Sequence, residues 1–302
     1  MSSFLPNEKI KDLVADIRNK LSHIGNNQHN IIDKLENNLE KYLIIETAKI
    51  KDQLLQNAKY MDPKNLIPFG FKVFSENDED GMIEEIFNRI GCKNKTFIEF
   101  GVGDGLENNT LYLLHKNWSG LWIEANCNHF EEIKKNVSIF VENNQLKISN
   151  QFLSLENINK TFIENEVTGE IDLLVIDIDG NDYHLLEAIS VVAPRVVVIE
   201  YNGKFPANFS WIMEYDKDYR WKASSYYGAS LKAYENLMRK KSYSLVGCNI
   251  VGNNAFFVRN DLISSHFQSP YTAEKHYEPV RYWLNIGCIP DRNFKTKIGP
   301  FI

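Results

Sequence analysis

Apolar and polar positions divide this chain into regions of different period. Over residues 8–60, Ile10, Val14, Ile17, Leu21 and Ile24 recur by four and three, which lays an apolar seam along one side of a helix. Gly25-Asn26-Asn27 breaks that seam, and Ile32, Leu35, Leu39, Tyr42 and Ile45 start a second one that stops before Met61-Asp62-Pro63. The stretch predicts two antiparallel helices forming an N-terminal extension over 1–62. They would either lie as a lid on the same chain or meet a second subunit.

From residue 63 onward the period shortens and the elements alternate. A helix over 81–90 has Met82, Ile83, Ile86, Phe87 and Ile90 on one face, and the run Phe97-Ile98-Glu99-Phe100 reads as a buried strand. A helix over 107–116, a strand over 120–124, a helix over about 129–143 and a strand over 146–153 follow. Further strands are expected at 171–180 and 195–203, with a helix over 183–189 between them and Pro194 marking the return. Near-continuous apolar runs ending in acids suit a parallel sheet covered on both faces. A helix from Gly228 and two strands, 243–249 and 255–259, would close the sheet with an antiparallel pair. Residues 203–228 break this rhythm with a dense run of aromatics, and the stretch from about 261 reads as an irregular tail.

Gly101, Gly103 and Gly105 stand at alternate positions directly after the first strand, where the backbone must turn and let a ligand approach. Glu124 ends the second strand about 20 residues on, as in a nucleotide-binding half-fold. The loop itself is E-x-G-x-G-x-G, with Glu99 ahead of it and Asp104 inside it. Two acids there would repel a pyrophosphate but suit an ammonium and a sulfonium. The pattern resembles motif I of the class I S-adenosylmethionine (SAM) methyltransferases. That resemblance implies a Rossmann-like, mostly parallel sheet with a terminal antiparallel strand over 63–302. It also implies that Glu99 and the glycines face the methionine moiety, that Glu124 takes the ribose hydroxyls, and that Asn150, Gln151 and Phe152 lie near the adenine. The cofactor set implied is Glu99, Gly101, Gly103, Gly105, Glu124, Ala125, Gln151, Phe152 and Asp177.

Ligands of open α/β sheets bind beyond the carboxyl ends of the strands, so Asp177, Asp179, Glu200 and Asn202 belong on the same edge as the glycine loop. Oxygen donors from two adjacent strands suit a hard divalent cation, Mg, Ca or Mn, with Mg or Mn the expected ones. Asp177 with Glu200-Tyr201-Asn202 resembles the catechol-type metal-dependent O-methyltransferases, which implies Asp177, Glu200 and Asn202 as metal ligands. One residue separates Glu200 from Asn202, and Gly180 stands where that family has its basic residue. Asp177, Asp179 and His184 are the candidates for the proton-handling catalytic group. The run Val175-Ile-Asp-Ile-Asp-Gly-Asn-Asp-Tyr183 resembles the FkbM-type sugar and polyketide O-methyltransferases, in which these acids shape the substrate pocket. Together the two resemblances cover about residues 90–260. The same Asp177-Ile178-Asp179 is also a D-x-D, so a metal-dependent glycosyltransferase is the rival reading.

In the aromatic stretch Phe205, Phe209, Trp211, Tyr215, Tyr219, Trp221, Tyr226 and Tyr227 could stack on sugars or a base, or form a small core of their own. Gly228, Ala229 and Ser230 at a helix start could offer amides to a diphosphate, with Lys204, Arg220 and Lys222 nearby. The expected activity is methyl transfer from SAM to a hydroxyl of a sugar, narrowed to a nucleotide-linked sugar for a capsule or other surface polysaccharide. Net charge is −6 over 302 residues with no basic block, which argues against nucleic acid. Four scattered cysteines, no signal peptide and no membrane span lead to an expected cytoplasmic protein.

Overall fold

The computed structural model describes residues 15–17 and 26–287. Two compact units divide them, one comprising residues up to 61 with 281–287, the other 62–280.

In the first unit a helix, α1 (Asn26–Leu55), runs for 30 residues and packs with the 3-10 turn Tyr282–Gly287. Leu35, Leu39, Tyr42 and Ile45 of the expected seam stay exposed on it. The earlier seam falls largely outside the described residues; Ile17 alone is described, helical and exposed.

The second unit is an α/β sandwich. Its elements in order are α2 (Glu79–Ile90), β1 (Thr96–Phe100), α3 (Leu111–His115), β2 (Ser119–Glu124), α4 (Cys127–Asn136), α5 (Ser138–Glu142), β3 (Leu146–Asn150) and α6 (Ile158–Glu164). They continue with β4 (Gly169–Ile176), α7 (Asp182–Ala188), β5 (Val192–Glu200), α8 (Leu231–Lys240), β6 (Tyr243–Cys248), β7 (Asn254–Arg259) and the short α9 (Asn260–Ile263) and α10 (Ala273–His276). Seven strands form one sheet in the order β3-β2-β1-β4-β5-β7-β6. The first five are parallel, and β7 runs antiparallel to both its neighbours. This is the Rossmann-like sheet expected from the sequence.

Both faces are buried, as a doubly covered sheet requires. Ile98, Phe100, Leu121, Ile123, Leu174, Ile176, Val197 and Ile199 point into one layer. Phe97, Trp122, Leu173, Val175, Val196 and Val198 are equally inaccessible on the other. Crossing helices start where a side chain can hold their first amides: Asn126 accepts from Asn128 and His129 for α4, and Ser230 accepts from Ala233 for α8.

Several boundaries shift for local reasons. The helix expected over 107–116 begins only at Leu111, because the Asn108 side chain accepts the Thr110 and Leu111 amides and so sets the start. The helix over 129–143 splits at Val137, which leaves helical geometry (φ −125°, ψ 26°) while its side chain is fully buried. Pro194 lies inside β5 rather than before it. At that point β5 pairs with β4 alone, since its register with β7 begins at Val196, so the missing donor interrupts no ladder on that side. The sequence reading did not foresee α6.

Candidate functional site

The strands deliver their carboxyl ends to one edge, and there a cavity of about 490 Å³ opens. The glycine loop forms one wall. Gly101 has φ +85°, and a Cβ there would sit 1.5 Å from the Asp177 carbonyl, so no side chain fits between β1 and β4 at this point. Gly103 is also left-handed, at φ +58°, but in open space; its amide donates to the Glu124 carboxylate at 3.0 Å. The other Glu124 oxygen accepts from the Asn126 amide at 2.7 Å. One acid at the end of β2 therefore fixes both the glycine loop and the entry to α4.

Of the sequence-derived cofactor set, Gly101, Gly103, Glu124, Ala125, Gln151, Phe152 and Asp177 line the cavity. Glu99 and Gly105 do not. Glu99 is fully enclosed, with one oxygen accepting from the Asn109 amide at 2.8 Å and the other paired with the Thr110 hydroxyl at 2.5 Å. Burial raises its carboxyl to about 7 against the pull of those donors. It ties the loop behind the glycines to β1. The space beside Gly105 is filled by Trp122 and Ile133. Asn150 stands back as well, its amide donating to the Glu124 carbonyl.

A second group lies at the ends of β4 and β5. The register puts Ile176 beside Ile199, so the next residues, Asp177 and Glu200, come side by side. Asp179 follows in the left-handed region at φ +55°, and the Asp182 carboxylate holds the turn by accepting from Ile178 (2.9 Å) and Gly180 (2.8 Å). Ligand-capable oxygens of Asp177, Asp179 and Glu200 lie within 4.8 Å of one another. Burial, then their neighbours' negative charge, pushes Asp177 and Glu200 well above the usual carboxylate range; burial raises Asp179 too. Burial lifts Asp182 to about 6 and, together with Glu79 and Glu107, Glu76 to about 7.

Asn202 has partners of its own. It lies two residues beyond the strand end, where its amide donates to the Ser225 and Tyr227 carbonyls and its oxygen accepts from the Lys204 amide. His184 is outside the cavity as well: it sits on α7, its Nε2 lies 2.8 Å from the Met213 carbonyl, and its ring packs edge-on against Tyr183 and Tyr215.

The aromatic stretch closes the cavity with Tyr219, Arg220 and Trp221. The Arg220 guanidinium lies 3.7 Å over the Phe152 ring, and Tyr219 packs where a side chain at Gly180 would be. Asn181 and Asp216 exchange two hydrogen bonds (2.7 and 3.3 Å), hooking this cover to the β4–α7 turn. Phe205, Phe209, Trp211 and Tyr226 instead stack on one another. Of the amides expected to seat a diphosphate at the start of α8, those of Gly228 and Ser230 already donate to the Gly180 and Trp211 carbonyls.

The family model of the FkbM methyltransferase domain matches residues 23–245. The chain belongs to that family. It is thereby a SAM-dependent methyltransferase, and the D-x-D reading as a glycosyltransferase loses its ground. Among solved structures, the chain is similar to an O-methyltransferase from Bacillus cereus in complex with SAH, at 16% identity over 72% of this chain and 89% of that one, with a TM-score of 0.40. It is similar to the methyltransferase domain of bacterial CtHen1-C, at 15% identity, 60% and 97% coverage and a TM-score of 0.39. It is also similar to an RNA methyltransferase from Salinibacter ruber in complex with S-adenosyl-L-homocysteine, at 12% identity, 43% and 82% coverage and a TM-score of 0.29. No curated protein sequence is significantly similar to it.

The cavity-lining residues that sequence reasoning missed include Asn126, His129 and Asn181. Each comes from a loop or a first helical turn, where periodicity carries no signal. Among the described residues no helix is long and apolar enough to cross a membrane.

Proposed function

We propose that the protein methylates a hydroxyl of a sugar. The observation that carries this reading is the meeting, at one cavity, of a cofactor wall, a set of carboxylates and a cover with exposed rings. Trp221 is 50% exposed while lining the cavity, the kind of flat apolar face on which a pyranose stacks. When bound, SAM supplies an electrophilic methyl on sulfonium and leaves as neutral SAH.

The chain's own residues do the rest. Glu124 keeps acceptor capacity for ribose hydroxyls beyond its two backbone donors. Phe152, beside Gln151, offers a ring face to a base. The Tyr219–Trp221 cover excludes water and fixes the acceptor's orientation, from which much of the rate derives. A carboxylate of the Asp177, Asp179 and Glu200 group takes the hydroxyl's proton, and burial, which raises all three, makes each a stronger base than an exposed carboxylate. The narrower form of the reading is a nucleotide-linked sugar used in the cytoplasm for a surface polysaccharide; Arg220 and Lys222 of the aromatic stretch support its diphosphate alone.

The test is calorimetric titration with SAH, followed by incubation with SAM and a panel of sugar nucleotides, read as a one-methyl mass gain. Binding of SAH with no methylated sugar in the panel would remove the sugar reading and keep the class.

A further inference from the structure

Half of the aromatic stretch lies outside the cavity, and its rings are ordered rather than scattered. The Phe205 ring is near-parallel to Phe209 (centroids 5.5 Å apart, 12° between planes) and to Trp211 (4.7 Å, 27°). Tyr226 meets Trp211 edge-on at 5.5 Å. None of these four rings lines the cavity. Phe209 and Tyr226 are 48% and 46% exposed, and Phe205 and Trp211 are only half-buried. A small core of their own would have hidden these rings. The fold presents instead a stack of flat faces that is open at Phe209, whose one ring neighbour among the described residues is Phe205.

The stack is joined to the cavity. The Tyr219 hydroxyl donates to the Tyr226 carbonyl and the Trp221 indole donates to the Ser224 carbonyl at 2.9 Å, while Tyr219 and Trp221 themselves line the cavity. Residues 224–226 therefore bridge the outer rings and the inner ones. A cation sits on that bridge: the Lys204 ammonium donates to the Ser225 hydroxyl and has no carboxylate partner among the described residues. The Lys204 amide is held in turn by the Asn202 side chain. Stack, ammonium and cavity thus follow one another in a fixed order.

We propose that this outer surface is a nucleoside diphosphate subsite. The base stacks on Phe209, the Lys204 ammonium takes the diphosphate, and the attached sugar reaches past Tyr219 and Trp221 into the cavity. The order along the surface is the covalent order of a nucleotide-linked sugar. Every base has a face to lay on an aromatic ring, so stacking holds nucleotides with little choice among bases. The diphosphate stays outside the cavity, where the carboxylates of Asp177, Asp179 and Glu200 would repel it. A plain saccharide chain on the same rings would leave the Lys204 charge without a counterpart. The seat also differs from the one expected at the start of α8: a side-chain ammonium beside Ser225 replaces backbone amides, two of which are committed. What enters the cavity rests on the sugar-acceptor reading, while binding of the nucleotide does not.

The test is calorimetric titration of the full-length protein, saturated with SAH so that the cofactor wall is filled, with UDP, GDP, CDP and dTDP. These should bind with affinities within about tenfold of one another. Phe209→Ala and Lys204→Ala should each weaken them tenfold or more, with SAH affinity and melting temperature unchanged, because both side chains are exposed. Lys204→Ala should also flatten the salt dependence of binding, and Phe209→Trp should bind as the parent does. Failure of all four nucleotides to bind, or either alanine variant binding them as tightly as the parent, would overturn the subsite. If sugar nucleotides are methylated even so, the sugar reading stands without it. Nucleotide binding that both variants lose, with no sugar nucleotide methylated, would support the subsite and remove the sugar acceptor.

Discussion

The Glu124 carboxylate and the Gly103 amide are 3.0 Å apart and hydrogen-bonded, so the acid that ends β2 also latches the glycine loop. Glu124 is therefore both a ligand group and a brace. Glu124→Ala should raise the dissociation constant for SAH by tenfold or more, since hydrogen bonds to a charged acceptor are worth about 1.5–3 kcal/mol each. It should also lower the melting temperature of the ligand-free protein, because two backbone donors lose their acceptor. Calorimetry and thermal melts on the same sample separate the two effects.

Two glycines in one loop should respond differently to alanine. Gly101→Ala places a methyl 1.5 Å from the Asp177 carbonyl and must separate β1 from the end of β4. Gly103→Ala meets no atom within 4 Å and bears only the left-handed backbone cost, about 1–2 kcal/mol. Denaturant melts should show the Gly101 variant as much the less stable, or insoluble.

Because burial lifts Glu99 to about 7, the fold prefers its protonated form. The resulting stability is present in full below the ordinary glutamate range and is lost as pH rises through about 7. Glu99→Gln keeps the shape and removes the titration. The variant's melting temperature relative to the parent should therefore climb between pH 5 and pH 8; a flat difference would show that Glu99 does not titrate there.

Asp172 is fully buried under the amides of Lys93, Asn94 and Lys95, with Arg195 at 3.5 Å. Asp172→Ala would strand those donors and the guanidinium together. A loss of about 3–5 kcal/mol in urea unfolding is expected, with no specific effect on SAH affinity in the protein that remains folded.

The cover should be separable from the fold. Arg220 and Trp221 are exposed, and Arg220 touches the site chiefly through its stack on Phe152. Arg220→Ala and Trp221→Ala should leave the melting point of the ligand-free protein within about a degree, because exposed side chains away from packing cost little. They should weaken SAH or raise the acceptor KM severalfold, which steady-state kinetics on the two substrates would apportion.

The sheet was legible because its strands are apolar on both faces and end in glycine or acid; Ile171 to Ile176 and Val196 to Ile199 need no partner to be recognised. Gly101, Gly103, Glu124 and Phe152 followed from the strand ends they occupy. Glu99 was misplaced because sequence shows a carboxylate's position along a strand but not which face it occupies, and this one faces Thr110 and Trp122 rather than the cavity. The partners of Asn202 and His184, namely Ser225, Tyr227 and Met213, were hidden because they come from an aromatic stretch whose path has no period to read. The roles of Asp216 and Asn181 were hidden for the same reason.

The position of β7 between β5 and β6 sets a timetable for synthesis. The edge of β5 that carries Val196, Val197, Val198 and Ile199 is covered by the last strand to be made, not by the next one. While a ribosome is translating residues 201–253, that apolar, β-branched edge is open, and β6 cannot seal it because its place in the sheet is one strand further out. A product truncated in this window would carry an unpaired edge of the kind that joins other chains.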